Sequence, residues 1–287
     1  MSQVASSGPV EQAPRRTRAE PRARFRASLA LAGLTARVQG LIVPAVLVAI
    51  WEAVVRGGLI PANLLPPPSA LIATVRELLA DGTLQQNMLI SSLRVLAGFS
   101  IGAGLGVVIG AAVGLSAKAE ALIGPTFQGL RAIPSIAWVP LLLLWLGIDE
   151  TPKIVLIAIG AFFPVYTGLV SGIHNVDRKL VEFGRVYGLK GATLIRRIFL
   201  PAALPSLFVG LRTGLSLAWM FLVAAELIAA TQGLGYLLSD GRETGRADEV
   251  IVAILALALL GKLSDSILAG LEHWLLRWRD VYKTIGA

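Results

Sequence analysis

Four cationic side chains stand inside long apolar stretches of this 287-residue chain: Arg94, Arg131, Arg212 and Lys262. A charge near a bilayer centre costs about 2.5–3.5 kcal/mol on insertion scales, so each needs a partner, a wet cavity or a nearby interface. Lys262 and Asp265 are three apart on one helix face and read as a structural pair. Glu226 could neutralise a neighbour that the sequence does not identify. Arg131, Arg212 and Arg94 have stems long enough to snorkel toward an interface. Alternatively, some of these arginines and Gln128 form an anion-friendly vestibule, because a guanidinium fork suits sulfonate, nitrate or phosphate oxygens. The candidate translocation path is therefore Arg94, Gln128, Arg131, Arg212, Trp219 and Glu226. Catalytic chemistry finds less support. Ser171 and His174 can touch on a helix but lack an evident third member or oxyanion donor, so a capping or interfacial role is expected. The chain has no cysteine, which excludes thiolate catalysis and cysteine-held metals, and its two histidines, His174 and His273, are far apart. No Gly-x4-Gly-Lys-Ser/Thr loop is present to cradle a nucleotide.

A second stretch carries docking chemistry. Glu182 to Pro201, EFGRVYGLKGATLIRRIFLP, is polar and basic between two strongly apolar segments. Read as a helix from Arg178, it puts Val181, Phe183, Val186 and Leu189 on its apolar side, with Glu182, Arg185 and Lys190 elsewhere around it. Gly188 and Gly191 should end or bend that helix. A short segment from Thr193 to Leu200 should follow and stop at Pro201, which lacks a backbone donor.

The elements that must position these residues are membrane helices. Hydrophobic residues make up 55% of the chain and charged ones only 15%, with a mean hydropathy of +0.72. A soluble domain carries about a quarter charged residues. The apolar residues come in blocks, so lipid is the natural solvent for most of the chain. The expected class is all-α with about six spans, near 39–55, 88–115, 121–146, 153–173, 204–230 and 249–271, and a docking loop at 178–201. Residues 1–27, rich in Pro, Ser, Ala and Arg, are expected to form a disordered basic tail ahead of the membrane domain, 28–287. Residues 25–38 are suited to lying flat on the membrane. Ser69 can cap a short helix, Ala70 to Ala80, at the outer surface. Gly98, Gly102, Gly106, Gly110 and Gly114 recur every four residues, a stripe where a neighbouring helix can approach closely. Pro125, Pro134 and Pro140 interrupt the third segment, whose freed carbonyls must be buried or line a cavity. With a cytoplasmic N-terminus, the inside segments hold most of the basic residues, leaving Arg56, Arg76, Lys153, Arg242 and Arg246 outside. That orientation puts both termini and the 178–201 loop in the cytoplasm, and the net charge of +8 then reflects topology rather than nucleic-acid binding.

The spacing Glu182-x-Gly184-x3-Gly188-x9-Ile198-x-Leu200-Pro201 resembles the EAA loop of ABC-importer permeases, with Gly184 where that family usually has a second Ala. Much of the chain from about Leu64 onward is similar to the nitrate, sulfonate and taurine branch of these permeases, most of all to its aliphatic-sulfonate members. The likeness rests on Leu65-Pro66, Ser92-x-Arg94 with the glycine ladder, Leu143 to Glu150, Phe163-Pro164, Gly172 to Arg178, Gly233 to Tyr236, Leu259 to Asp265 and Leu276 to Trp278. The resemblance implies a type I importer permease in the inner membrane, working as a homodimer with two cytoplasmic ATPase subunits and an extracytoplasmic binding protein. It assigns Glu182, Gly184, Tyr187, Gly188, Leu189, Ile198, Leu200 and Pro201 to ATPase coupling. The binding protein would touch the loops around Asp149 and Gly233 to Arg246. ATP and Mg would belong to the partner ATPase, with no cofactor on this chain and no enzyme activity of its own. A permease importing nitrate, taurine, bicarbonate or a vitamin precursor is the alternative within the family, and a passive or ion-coupled carrier is the competing class. Such a carrier would be expected to show repeated halves and intramembrane coupling carboxylates, and no convincing repeat is present.

Overall fold

The computed structural model describes residues 42–278. The expected tail over 1–27 and the flat helix over 25–38 lie outside the described residues. The chain divides into two units, Met1–Leu59 and Ile60–Ala287. In the first, residues 42–56 form helix α1, closed by a turn in which Gly58 takes φ 74°. At 1.5 Å per residue this described helix is about 22 Å long, short of a hydrocarbon core of about 30 Å.

The second unit is built on α2 (Pro68–Ala80), α3 (Thr83–Leu115), α4 (Ala117–Ala132), α5 (Val139–Leu146), α6 (Glu150–His174), α7 (Arg178–Val186), α8 (Gly191–Leu194), α9 (Leu200–Ala229), α10 (Leu234–Glu243) and α11 (Ala247–Leu275). Among the described residues, four helices are long and apolar enough to cross a membrane: Thr83–Leu115, Glu150–His174, Gly191–Ile228 and Ala247–Leu275. The pair Ala117–Ala132 and Ser135–Leu146, bent by 89°, is a broken fifth. Pro134 is the corner: its missing N–H and its steric demand on Ile133, which is extended at ψ 122°, stop α4, and a 3₁₀ turn at Ser135–Trp138 restarts the chain. Ser69 lies inside α2 rather than ahead of it, because Pro67, already extended, serves as the cap position and Pro68 opens the first turn.

The glycine stripe explains the tightest contact. A Cβ on Gly98 would come within 2.6 Å of Ile157, one on Gly106 within 2.9 Å of the Phe162 carbonyl and one on Gly114 within 2.8 Å of Ile173; on Gly102 it would strike the Ala158 backbone. The order of these contacts makes α3 and α6 parallel. Helix α9 runs back along α6, where Gly168 faces Gly210 and Gly172 faces Ser206 and Ala203. Val95, Ile157, Ala161, Leu215, Ala218 and Leu222 fill one layer of this three-helix core, and Ala103, Val165, Leu169, Ile173, Ala203 and Leu207 the next. Phe127 of α4 stacks against Phe162 and Tyr166 of α6, with centroids 5.4 and 5.3 Å away. Helix α7 therefore lies at one end of the bundle and α10 at the other. At the α10 end, Thr74 donates to Asp248 at 2.7 Å, and Arg246 bridges Glu77, Asp248 and Glu249, tying α2 to α11.

The helix after the glycine corner does not stop at Pro201. Ile195–Phe199 forms a π turn that runs straight into α9, with Pro201 in its first turn, where a missing N–H is tolerated. The expected stop is thus corrected to a continuous helix from the docking stretch across the membrane.

Candidate functional site

The docking element begins with Asp177, whose carboxylate accepts the Lys179 N–H at 2.8 Å and caps α7. Arg178 pairs with Glu182 one turn on, at 2.8 Å. At the other end, Leu189 N–H donates to the Gly184 carbonyl at 2.9 Å, and Gly188 takes φ 77° to make that turn. This is a left-handed helix stop that glycine adopts without a Cβ penalty. Gly184 is the buried residue of α7. A Cβ there would lie 2.9 Å from Leu194 and 3.3 Å from Ile198, so the small residue lets α7 rest on the helix that becomes α9.

Phe183 and Val186, on the apolar side of the helix, face away from the protein. With Gly184 turned inward, Leu180, Phe183, Val186 and Tyr187 point out, Val186 being 84% exposed. The Phe183 and Tyr187 rings lie 4.7 Å apart. Glu182, Gly188 and Leu200 are also exposed, whereas Leu189, Ile198 and Pro201 are half-buried. The expected coupling residues are brought together, and an apolar-aromatic knob stands at the end of the bundle.

The cationic residues have separated fates. Arg94 is committed. Its Nε and Nη2 donate to the two oxygens of Glu150, each at 2.6 Å, while Nη1 donates to Glu226 at 2.7 Å and to the Gln232 carbonyl at 2.6 Å. The Glu226 side chain has no exposed surface. It also accepts from Ser91 Oγ at 2.8 Å and from the Gly235 N–H at 2.7 Å. Ser91 Oγ accepts the Leu234 N–H at 2.8 Å, and Asn87 Oδ1 the Gly233 N–H at 2.6 Å. Three successive amides at the start of α10 are thus each taken by a side chain of α3 or α9, satisfying donors a helix start leaves free. Gly233 sits at φ 117°, and a Cβ on Gly235 would lie 2.6 Å from Glu226 Cβ, so the loop must be glycine to come this close. Arg94 and Glu226 therefore form a buried structural joint, with half-exposed Glu150 on its outer side.

Arg212 also holds two carboxylates, but remains partly exposed. It grips Asp265 with Nε and Nη2 at 2.9 and 3.1 Å and reaches Glu272 at 3.3 Å. The expected Lys262–Asp265 pair does not form, because a planar two-pronged fork holds a carboxylate better than a single ammonium does. Trp219 donates to Ser264 at 2.9 Å, a further tie between α9 and α11. Gln128 and Arg131 remain exposed on α4, and no hydrogen bond or ion pair joins either to Arg94, Arg212 or Glu226. Beside α4 lies an apolar cavity of about 410 Å³, lined by Phe127, Leu130, Trp138, Ile154, Phe162 and neighbours. His174 stands 3.8 Å from Glu120. Sequence reasoning missed Asn87, Ser91 and Glu150 as members of the joint; the Ser91/Arg94 spacing on one helix face was the available signal.

The family described as binding-protein-dependent transport system inner membrane component matches residues 102–277. The chain is 43% identical over 246 residues to a putative aliphatic sulfonates transport permease protein, SsuC, of Bacillus subtilis, covering 86% of this chain and 89% of that one. To the Escherichia coli protein of the same description it is 44% identical over 246 residues, covering 86% and 94%. A crystal structure of an amino acid ABC transporter superposes with a TM-score of 0.57 at 16% identity, over 73% of this chain and 98% of that one, a likeness of fold. An all-α bundle with several membrane-crossing helices, matched over these lengths, is a transport permease subunit: the chain belongs to the binding-protein-dependent transport system inner membrane components.

Proposed function

We propose that the chain is the permease of an ATP-driven importer for an aliphatic sulfonate, acting as a homodimer with two ATPase subunits. The substrate class comes from the 43–44% identical relatives described as aliphatic sulfonate permeases. The observation that carries the coupling mechanism is the exposed knob of Leu180, Phe183, Val186 and Tyr187, set on a helix continuous with α9. An apolar-aromatic knob at the end of the bundle suits a cleft in a soluble partner, since aromatic anchors desolvated in pockets dominate interface energy. In this reading α7 and both termini are cytoplasmic, and the α10 end receives the loaded binding protein at Asp149 and at Gly233 to Arg246. ATP and Mg reside on the ATPase, whose closure displaces α7 and with it α9. The residues assigned to coupling are Glu182, Gly184, Tyr187, Gly188, Leu189, Ile198, Leu200 and Pro201. Gln128 and Arg131, exposed and unpaired with the other arginines, are the remaining α4 contributors to the path.

The test is ATPase activity of the reconstituted complex, with and without sulfonate-loaded binding protein, for wild type, Glu182→Ala and Gly188→Trp. Gly188→Trp strains a φ of 77° and reshapes the knob. Loaded binding protein should stimulate wild type, and both substitutions should abolish the stimulation. Hydrolysis indifferent to the loaded binding protein and to both changes would overturn the coupling role.

A further inference from the structure

Because the Arg212 fork takes Asp265, Lys262 makes no ion pair of its own and feels that carboxylate only through space. Among the described residues no carboxylate oxygen lies within 4.0 Å of its Nζ, although its side chain is exposed. It sits near the middle of α11, thirteen residues before Leu275, about 20 Å along the axis. A lysine stem is too short to reach a headgroup region from there, and a lipid-facing ammonium at that depth is costly. The surface around it is polar on one side only. At about 100° per residue, Asp265, Lys262 and Ser266 fall within one sector of α11, with exposed Leu255 and Leu259 in the turns before them, while Leu263, Ile267 and Leu271 occupy the next. Arg212, on the polar flank, has a side chain 41% exposed at similar depth, and α9 continues beside it with exposed Thr213 and Ser216. These hydroxyls donate to carbonyls of their own helix, but exposed ions at mid-membrane require water or a polar solute.

We propose that Lys262 faces the water-filled path and is the cation that meets the anionic headgroup of the transported molecule at mid-membrane. This rests on the reading of the chain as an anion importer. The ammonium has three donors and, unlike Arg94 and Arg212, none is spent on a carboxylate of this chain. Three sulfonate oxygens can take them as the molecule passes, and a single mobile point charge releases an anion more readily than a fixed fork.

The chain has no cysteine, so one engineered thiol in it is unique. In the reconstituted complex, Lys262→Cys and Ile267→Cys would be exposed to 2-sulfonatoethyl methanethiosulfonate, a membrane-impermeant anion that reacts with hydrated thiols. Lys262→Cys should be modified at least about tenfold faster than Ile267→Cys, because the charged reagent avoids lipid. Equal rates would overturn the proposal. Uptake of ethanesulfonate at saturating loaded binding protein supplies the second arm. Lys262→Met should lower it by about tenfold or more, and Lys262→Arg, which keeps the charge, should stay within about threefold of wild type. Wild-type uptake by Lys262→Met, or failure of Lys262→Arg to rescue, would overturn the headgroup role. If wild type itself does not import ethanesulfonate, the sulfonate reading fails, while the labelling contrast, read without substrate, still decides whether Lys262 faces the path.

Discussion

Arg94 and Arg212 each hold two carboxylates drawn from other helices, yet their surroundings are opposite. Arg94 has a side chain 6% exposed and Glu226 none, although its other partner, Glu150, is half exposed; Arg212 is 41% exposed, with partners Asp265 and Glu272 about a quarter exposed. Glu226 lies fourteen residues beyond Arg212 on α9, about 21 Å along the axis. The first cluster also occupies the amides that open α10, so its ions are surrounded by fixed donors. The second leaves surface to solvent. Like stoichiometry thus yields a joint at one level and an open polar wall at another, and burial is what separates them.

The sharpest way to break this contrast is to remove one ion from each cluster. Glu226→Leu leaves Arg94 with an unmatched bond and the Gly235 amide without its acceptor, and should cost about 3–5 kcal/mol. Thermal unfolding of the purified protein in detergent would read it. The double variant Arg94→Met/Glu226→Leu should recover part of that loss, and strict additivity would show that the pair is not coupled. Next comes the loop that closes over the joint. Gly235→Val, whose Cβ would meet Glu226, should lose about 1–3 kcal/mol by overpacking. The same effect is expected for Gly102→Val against Ala158, whereas Gly104→Val, with nothing within 4 Å, should not destabilise by overpacking. The smallest change belongs to the open cluster. Arg212→Met should shift stability by about 1 kcal/mol or less, and the difference from wild type should shrink as salt is raised, because exposed pairs are screened. A loss as large as that of Glu226→Leu would mean that Arg212 is sealed in the assembly.

Legibility in the sequence followed the range of the interaction. The glycine ladder could be read because a four-residue period is a property of the helix itself, and α3 meets α6 along it. The stop at Gly188 was visible for the same reason: φ 77° is a local demand. The partners of Arg94 were not visible, since Glu150 and Glu226 come from distant segments and their approach depends on helix packing. Asp265 shows how a local rule loses. Lys262 is three residues away and satisfies helical spacing, but Arg212 from another helix offers two parallel bonds. Pro201 misled in the same way: a π turn ahead of it, which no simple spacing announces, lets the helix continue. The outward turn of Phe183 followed from Gly184 being the residue pressed against Leu194, a choice of face that hydrophobicity alone could not make.

The unbroken helix Gly191–Ile228 has a mechanical consequence. At 1.5 Å per residue its 38 residues form a rod about 57 Å long, and Gly210, crossing Gly168, lies at its midpoint. Close contacts flank that crossing on both sides, Gly172 with Ala203 and Gly160 with Phe221, so α6 would tilt with the rod as a two-armed lever. A tilt of about 10° there would carry the end under α7 and the end under Glu226 about 5 Å each, in opposite directions. The knob would be the handle of that lever and the Arg94 joint the load at its far tip.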